Sequence, residues 1–223
     1  MAEKNRATTV LRILKETLPL PSWTKRRREP FATLVTTIIS QNTADRNTEL
    51  AFEELSKHLE ISPEALAKAR TCTIEATIKS AGLYKAKARS IKQAATTIQE
   101  KYNGTLEPIL TLPLDEARKS LMQFPGVGPK TADVVLMFSA RQPTIPVDTH
   151  VNRVSKRLGF AAEKGNYEVV RSGLQSLFDP EDYLVVHLLF IAHGRKTCKS
   201  RRPLCSQCPV KALCPSNGLW EKS

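Results

Sequence analysis

The sequence lacks the runs of about 18 consecutive apolar residues that a membrane-spanning helix requires. Its first residues, MAEKNRATT, lack the apolar core of a signal peptide. Strand-like alternation of apolar and polar residues, repeats of solenoid length and low-complexity tracts are also missing. These absences argue against a membrane-spanning, secreted or repeat protein, and they predict an all-α protein of the cytoplasm.

Acidic residues are scarce relative to basic ones. The chain has 22 Asp and Glu against 34 Lys and Arg, which gives a formal net charge of +12 and a pI near 9.7. This excess favours a polyanionic partner, either a nucleic acid or an anionic membrane surface; a basic surface that is merely solvated is the alternative. An apolar share of 41% in 223 residues is ordinary for a globular protein with one large or two small domains.

Cysteines are few, and four of the five lie close to the end of the sequence. Cys72 stands alone and is predicted to be a small buried apolar residue. The others form a C-x6-C-x2-C-x5-C pattern: Cys198, Cys205, Cys208 and Cys214. Without a signal peptide they are expected to bind metal rather than form disulfides, and their spacing alone allows zinc or an iron–sulfur cluster. No histidine is assigned as a ligand; His150 and His193 are expected to cap or pack.

Apolar residues at helical spacing, bounded by prolines, glycines and capping residues, predict a succession of helices. The predicted helical segments are 6–18, 31–40, 45–57, 63–69, 73–79, 84–101, 114–124, 129–140, 148–158, 166–177 and 181–192. The stretch FATLVTTIIS at 31–40 has the threonines and isoleucines of a strand, but no partner strand is apparent, so a buried helix is expected. The basic run KRRR at 25–28 could contact a phosphate backbone or simply connect helices.

The segment Pro125-Gly126-Val127-Gly128-Pro129 interrupts two apolar helical segments. Proline fixes its own φ, and the two glycines can adopt positive φ without a Cβ clash. Pro129 suits the first position of a helix, where a backbone amide would have no intrahelical acceptor. We therefore predict a tight turn between two helices, with Gly126, Val127 and Gly128 presenting free N–H groups and a positive helix end to a phosphate.

Lys130 lies in the first turn of the second helix, where the helix dipole disfavours an ammonium group and is expected to lower the lysine pKa. A neutral amine can attack carbon, so Lys130 is a candidate nucleophile; a simple phosphate contact is the alternative. Asp148 follows eighteen residues later, ahead of the Thr149-His150-Val151 segment. It could cap the next helix, serve a reaction, or do both.

The segments FPGVGPKTADVV and IPVDTHVNRV resemble the helix-hairpin-helix motif, the glycine- and proline-rich loop and the aspartate of the endonuclease III superfamily of DNA glycosylases. Within that superfamily, a lysine at the position of Lys130 marks the bifunctional glycosylase/lyase members. The resemblance extends over nearly the whole chain, and the order of hairpin, lysine, aspartate and cysteines is highly specific. Asp133 departs from it, because many close relatives have asparagine there.

The resemblance implies further contacts with DNA. The SQNTAD segment is similar to the loop with which family members fill the gap left in the duplex; either Gln41 or Asn42 would fill it here, unless the loop only caps helices. In AGLYKAKARSI, Leu83 stands where relatives insert an apolar wedge, unless it is a core contact beside a helix cap. Three basic residues nearby are expected to face phosphates or water: Lys85, Lys87 and Arg89.

The resemblance also implies the domain organisation and the cofactor. One domain would be residues 31–143, and the other would join residues 1–30 to residues 144–223, with Lys130 and Asp148 at the mouth of a DNA-binding cleft. The four cysteines would hold a structural [4Fe–4S] cluster, since the six-residue gap between the first two is too long for a tight zinc knuckle. That gap would form a basic finger on the DNA backbone, or else a solvated loop: Lys199, Arg201 and Arg202.

The implied activity is base-excision repair by a glycosylase and abasic-site lyase, with oxidised pyrimidines as the expected substrates. Lys130 would attack C1′ of an extruded nucleotide and form a Schiff base that undergoes β-elimination, and Asp148 would stabilise the cationic sugar and assist proton transfer. The implied partner is double-stranded DNA containing damaged or mismatched bases or abasic sites, with no membrane partner. The protein is expected to act as a monomer at the nucleoid of the cytoplasm.

Three other functions fit parts of the sequence. A glycosylase for uracil or thymine mismatched with guanine, or for an oxidised purine, would share the fold, although mismatch relatives often replace the lysine. A non-catalytic DNA-binding module with a structural metal would need the glycines and the basic loop but neither Lys130 nor Asp148. An iron–sulfur electron carrier would show no steep dependence of DNA affinity on salt.

Overall fold

The computed structural model describes residues 2–21 and 27–219, and in those ranges it contains helices, turns and loops but no β-strand. The predicted all-α class is therefore confirmed. In chain order the α-helices are α1 (Ala2–Thr17), α2 (Pro30–Ser40), α3 (Asp45–His58), α4 (Pro63–Lys68), α5 (Thr71–Thr77), α6 (Tyr84–Lys101), α7 (Glu107–Leu110), α8 (Leu114–Leu121), α9 (Pro129–Val135), α10 (Thr149–Arg157), α11 (Tyr167–Leu177) and α12 (Tyr183–Lys196). None of the helices in these ranges is long and apolar enough to cross a membrane.

The chain divides into two compact units, each with its own set of helices. The continuous unit runs over Arg27–Gln142 and contains α2 to α9. The terminal unit combines Met1–Arg26 with Pro143–Ser223 and contains α1 and α10 to α12. The two ends of the chain therefore fold together, although more than half of the sequence separates them.

Helix α2 is the buried helix of the continuous unit because almost every side chain on it is apolar or a threonine. Leu34, Ile38 and Ile39 are buried. The Glu29 carboxylate caps the helix and accepts a hydrogen bond from the Phe31 amide at 2.9 Å. The threonine hydroxyls donate to backbone carbonyls four residues earlier, so they are satisfied within the helix. The helix predicted at 31–40 is therefore confirmed, despite its strand-like composition.

Helices α8 and α9 flank the glycine turn, and a buried ion pair ties them together. Arg118 Nε donates to Asp133 Oδ1 at 2.8 Å, and a second guanidinium nitrogen donates to Oδ2 at 3.2 Å. The two side chains are 9% and 0% exposed. Asp133, which departs from the family resemblance, is thus the partner of a buried guanidinium. Helix α9 continues into a π-helical turn, Leu136–Ala140.

The terminal unit has a core of its own. The apolar side of α1, with Val10, Leu11 and Leu14, packs against α11 and α12. Phe160 stacks on Phe190 with ring centroids 6.3 Å apart, and a third phenylalanine meets both rings edge-on. Burying these side chains binds the N-terminal helix to the helices at the other end of the chain.

Two sequence predictions about burial are wrong. Cys72 is exposed, because the buried side of the short α5 is formed by Ile74 and Thr77 instead. Lys87 faces neither phosphate nor water: it lies on the core side of α6, one turn before Ile91, and is 4% exposed. Helical spacing predicts which positions share a face, and here one position on the buried face holds a charged residue.

The basic run at 25–28 is described in part, since Lys25 and Arg26 lie outside the described residues. Arg27 Nε donates to the carbonyl oxygen of Ser139 at 2.9 Å. The guanidinium of Arg28 lies over the ring of Phe138, 5.3 Å from its centroid, and burial lowers the pKa of Arg28. These two arginines therefore pack against the π-helical turn that follows α9.

Candidate nucleic-acid interface and reactive residues

The turn between α8 and α9 presents backbone N–H groups. Gly126 has a φ of +78°, and a Cβ there would lie 2.7 Å from Ser90 Oγ, so a glycine is required. Gly128 is extended with a φ of −98° and could hold a side chain. The Val127 amide donates to the carbonyl oxygen of Phe124, whereas the Gly126 and Gly128 amides have no acceptor among the residues that the structure describes. Two of the three predicted amides are thus available to an anion.

Lys130 is the second residue of α9 and is half-buried. The five residues that follow it in the helix are all buried, so Lys130 lies at the accessible N-terminal end of α9. The residue that caps the helix is Gly128, which has no side-chain oxygen to satisfy the first amides. The amine therefore lies at the N-terminal end of a helix, where the helix dipole places positive partial charge.

Asp148 lies in the terminal unit and caps α10. Its Oδ1 accepts a hydrogen bond from the Val151 amide at 2.7 Å, which confirms the predicted cap. Its Oδ2 accepts none within the described ranges. The amide of the preceding residue, Val147, donates to the hydroxyl of Tyr167 at 3.3 Å, which holds the backbone at the start of the helix. One carboxylate oxygen is thus used for structure, and the other is available for chemistry.

The two candidate gap-filling residues face different environments. Gln41 Nε2 donates to the carbonyl oxygen of Gly126 at 2.7 Å and lies 3.4 Å from Thr131 Oγ1. These hydrogen bonds hold the Gln41 side chain against the glycine turn. Asn42 is exposed and has a φ of 52°. Leu83 has a similar φ of 48° and is 67% exposed. The alternative in which Leu83 is a core contact is therefore wrong.

Four cysteines line one cavity in the terminal unit: Cys198, Cys205, Cys208 and Cys214. None of the four forms a disulfide among the described residues, and burial raises the pKa of Cys208 and Cys214. Metal binding would be needed to keep such sulfurs as thiolates at neutral pH. In the described part of the chain, no three Cys, His, Asp or Glu side chains converge on a single-ion site. His193 lines the same cavity and is 2% exposed, and burial lowers its pKa to about 4, which agrees with the predicted packing role.

Two arginines of α10 hold the loop that follows Cys198. Arg153 Nε donates to the carbonyl oxygen of Cys198 at 3.0 Å. Arg157 donates to the carbonyl oxygens of Lys199 and Ser200 at 2.6 and 3.1 Å, and its guanidinium lies 3.6 Å from Cys198 Sγ. The three basic residues predicted to form a finger are exposed: Lys199, Arg201 and Arg202.

Sequence reasoning missed the residues that position the predicted site. Arg153 and Arg157 share a face of α10 at the i,i+4 spacing, a signal that could have marked them as a pair aimed at one neighbour. The residues next to Arg118 in the sequence give no sign that it is buried, because its partner Asp133 lies fifteen residues away on another helix. Contacts between side chains on different helices can be identified only from the tertiary structure.

Known proteins resemble this chain over most of its length. A family model described as HhH-GPD superfamily base excision DNA repair protein matches residues 35–180. Endonuclease III of Sulfolobus acidocaldarius is 40% identical over 188 residues, which cover 84% of this chain and 82% of the relative. Endonuclease III of Escherichia coli K12 is 33% identical over 211 residues, which cover 95% of each.

Solved structures agree with the sequence comparison. The fold matches a trapped endonuclease III–DNA covalent intermediate with a TM-score of 0.84, at 32% identity and with 96% of both chains covered. A non-covalent endonuclease III–DNA complex matches with a TM-score of 0.85, at 31% identity and 99% coverage of both chains. The chain therefore belongs to the endonuclease III family, within the HhH-GPD superfamily of base excision DNA repair proteins.

Proposed function

We propose that this protein is a base-excision DNA glycosylase with abasic-site lyase activity. The observation that carries the proposal is Lys130, an amine at the accessible N-terminal end of α9, directly after a turn with two available amides. Membership of the endonuclease III family supports it. Among the similar structures is a covalent enzyme–DNA intermediate, which is the kind of species that an amine nucleophile forms.

The turn would bind the DNA backbone next to the damaged nucleotide. The Gly126 and Gly128 amides would donate to phosphate oxygens, and the positive end of α9 would favour the phosphate charge. The net charge of +12 supports the same partner, double-stranded DNA. Because phosphate contacts release counterions, the logarithm of DNA affinity should fall linearly with the logarithm of salt concentration.

Chemistry on a stacked base requires that the nucleotide first leave the duplex. The Lys130 amine would then form a bond to C1′ while the glycosidic bond breaks, and the base would leave with the bonding electrons and a proton. The C1′–O4′ bond then breaks as the nitrogen lone pair forms a C=N bond, and the second amine proton passes to the ring oxygen, which gives an open-chain Schiff base. Removal of a 2′ proton then expels the 3′ phosphate and cuts the strand.

Asp148 would act on charge and on protons. Its carboxylate would stabilise the cationic sugar at C1′ and assist the proton transfers of the reaction. The cap bond from Val151 to Oδ1 orients the group and leaves Oδ2 for this role. Asn42 and Leu83, both exposed, would fill the space that the extruded nucleotide leaves.

The four cysteines would hold a [4Fe–4S] cluster. They line one cavity, four cysteine thiolates are the ligand set of such a cluster, and membership of the endonuclease III family favours it over a zinc ion. When bound, the cluster supplies four metal–thiolate bonds that cross-link the loop. Arg153 and Arg157 hold the same loop through its carbonyls, so that the basic finger is presented to a phosphate backbone.

The nucleophile is tested by borohydride trapping on a duplex with one oxidised pyrimidine. Lys130→Ala should abolish the covalent adduct, and an adduct of wild-type yield would contradict the proposal. Lys119→Ala, which removes an exposed lysine of α8, is the matched control and should leave the yield unchanged.

The preferred substrate is tested by measuring base release and nicking separately on four kinds of duplex. Each duplex contains one oxidised pyrimidine, oxidised purine, uracil or mismatched thymine, and the oxidised pyrimidine should react fastest.

The role of Asp148 is tested by Asp148→Asn. Asparagine caps helices about as well as aspartate, so folding and DNA binding should persist while base release slows by roughly a hundredfold or more. A variant with lowered thermal stability and an unchanged rate per folded molecule would leave Asp148 with only its capping role.

A further inference from the structure

Two exposed turns of the continuous unit share an unusual backbone conformation. Asn42 and Leu83 have φ values of 52° and 48°, in the left-handed region that leucine rarely adopts. Gly82, with a φ of 62°, precedes Leu83. Leu83 also exposes 67% of its surface. A strained apolar residue in contact with water persists only where its surroundings hold the backbone, so some contact must hold these turns.

The ammonium group of Lys87 supplies this contact. Its side chain runs inward from the first turn of α6, and Nζ donates to the carbonyl oxygen of Ile39 at 2.8 Å, to Thr43 Oγ1 at 2.6 Å and to the carbonyl oxygen of Ala81 at 2.9 Å. The Thr43 hydroxyl itself bonds to the Ala81 carbonyl. An ammonium group has three protons, and each of them has a protein acceptor here.

These acceptors lie beside the two turns. Ile39 and Thr43 stand on either side of the segment that contains Asn42, and Ala81 leads directly into Gly82-Leu83. One buried side chain therefore links two segments that are 38 residues apart in sequence. Burial lowers the pKa of Lys87, and three converging oxygen acceptors offset part of this desolvation.

We propose that Lys87 is a positioning residue that holds Asn42 and Leu83 as one rigid wedge for the gap in the duplex. This inference rests on the proposed function, because only an enzyme that extrudes a nucleotide has a gap to fill. Lys87 acts through the two turns and not on the DNA. A wedge that is already ordered before binding avoids the cost of ordering two turns during base extrusion.

The test compares abasic-site cleavage in duplex and in single-stranded DNA. A single strand has no stack to fill, so the wedge should matter only in the duplex. Lys87→Met keeps most of the unbranched side chain but removes its N–H donors, and it should lower the duplex rate roughly tenfold more than the single-strand rate. The fluorescence increase of 2-aminopurine placed opposite the abasic site should shrink in parallel. An equal loss on both substrates would overturn the proposal.

A double-mutant cycle separates positioning from a general effect. In the Asn42→Ala/Leu83→Ala background the wedge is already absent, so adding Lys87→Met should change the duplex rate less than about twofold. Independent losses that multiply would show that Lys87 acts by another route. If the wild-type enzyme fails to cut duplex abasic DNA at all, it is the proposed function that fails, before any variant is compared.

Lys92→Met is the matched control. Lys92 lies on the same helix, is half-buried and donates to the carbonyl oxygens of Ala67 and Ala69, away from both turns. It should leave the ratio of duplex to single-strand rates unchanged, and a lowered ratio would count against the proposal. Should Lys87→Met not fold, Thr43→Val removes one acceptor and the bridge to Ala81, and it should lower the same ratio by a smaller factor; an unchanged ratio would also overturn the proposal.

Discussion

The glycine turn and the cysteine loop are both expected to contact DNA, but they are held in different ways. The turn joins two helices with buried apolar faces and a buried Arg118–Asp133 ion pair. Between Cys198 and Cys214, the described residues that are buried are Pro203 and Val210. Packing alone can shape the turn, whereas the loop has too little apolar surface for that. It is held by arginine hydrogen bonds and, in the proposed function, by the iron–sulfur cluster.

Removing one cluster ligand should have the largest effect and should be confined to the loop. Cys208→Ser is expected to abolish the visible absorption of the cluster and to make the loop sensitive to proteases. Loss of the finger contacts should lower the slope of log affinity against log salt by up to about 3. Hydrogen exchange should remain slow in α8 and α9. An unchanged absorption spectrum would contradict the assignment of Cys208 as a ligand.

Breaking the buried ion pair should disturb the turn region and spare the loop. Arg118→Met removes the guanidinium from the buried Asp133 carboxylate, and the free energy of unfolding should fall by about 3 kcal/mol. Adding Asp133→Asn removes the buried negative charge and should recover part of this loss. Denaturant unfolding measures both effects. If the two single losses simply add in the double variant, the residues are not coupled.

The two glycines of the turn should respond differently to the same change. Gly126→Ala forces a side chain into a left-handed conformation against Ser90 and should cost about 1–3 kcal/mol. Gly128→Ala introduces a methyl group with no neighbour within 4 Å at an extended backbone, and it should cost less than about 0.5 kcal/mol. Thermal unfolding distinguishes them; equal losses would mean that backbone conformation is not the cause.

The smallest effect is expected at Cys72, the cysteine outside the cluster pattern. Its side chain is exposed, so Cys72→Ser should change the free energy of unfolding by no more than about 0.5 kcal/mol and leave the absorption spectrum intact. Loss of the visible absorption in Cys72→Ser would show that the ligands are not confined to the four cysteines near the end of the sequence.

Local patterns predicted most of the fold. The helix at 31–40 was predicted despite its threonines and isoleucines, because no partner strand is apparent in the sequence. The burial of Cys72 and the exposure of Lys87 were predicted wrongly for the same reason. Both predictions used the average burial of cysteine and lysine in proteins, which does not include the tertiary neighbours of a given position. Cys72 lies on the outer side of a seven-residue helix, and Lys87 meets three buried oxygens that no lysine preference reveals.

The sequence by itself determined most of the helices, the glycine turn, the cap at Asp148 and the grouping of four cysteines, because each depends on residues that lie close together in the sequence. Only the tertiary structure decided that Gln41 donates to Gly126, 85 residues away, that Asp133 pairs with Arg118, and that Lys87 joins two distant turns. Helical spacing assigns a side chain to a face, but the partner on that face is supplied by another segment of the chain.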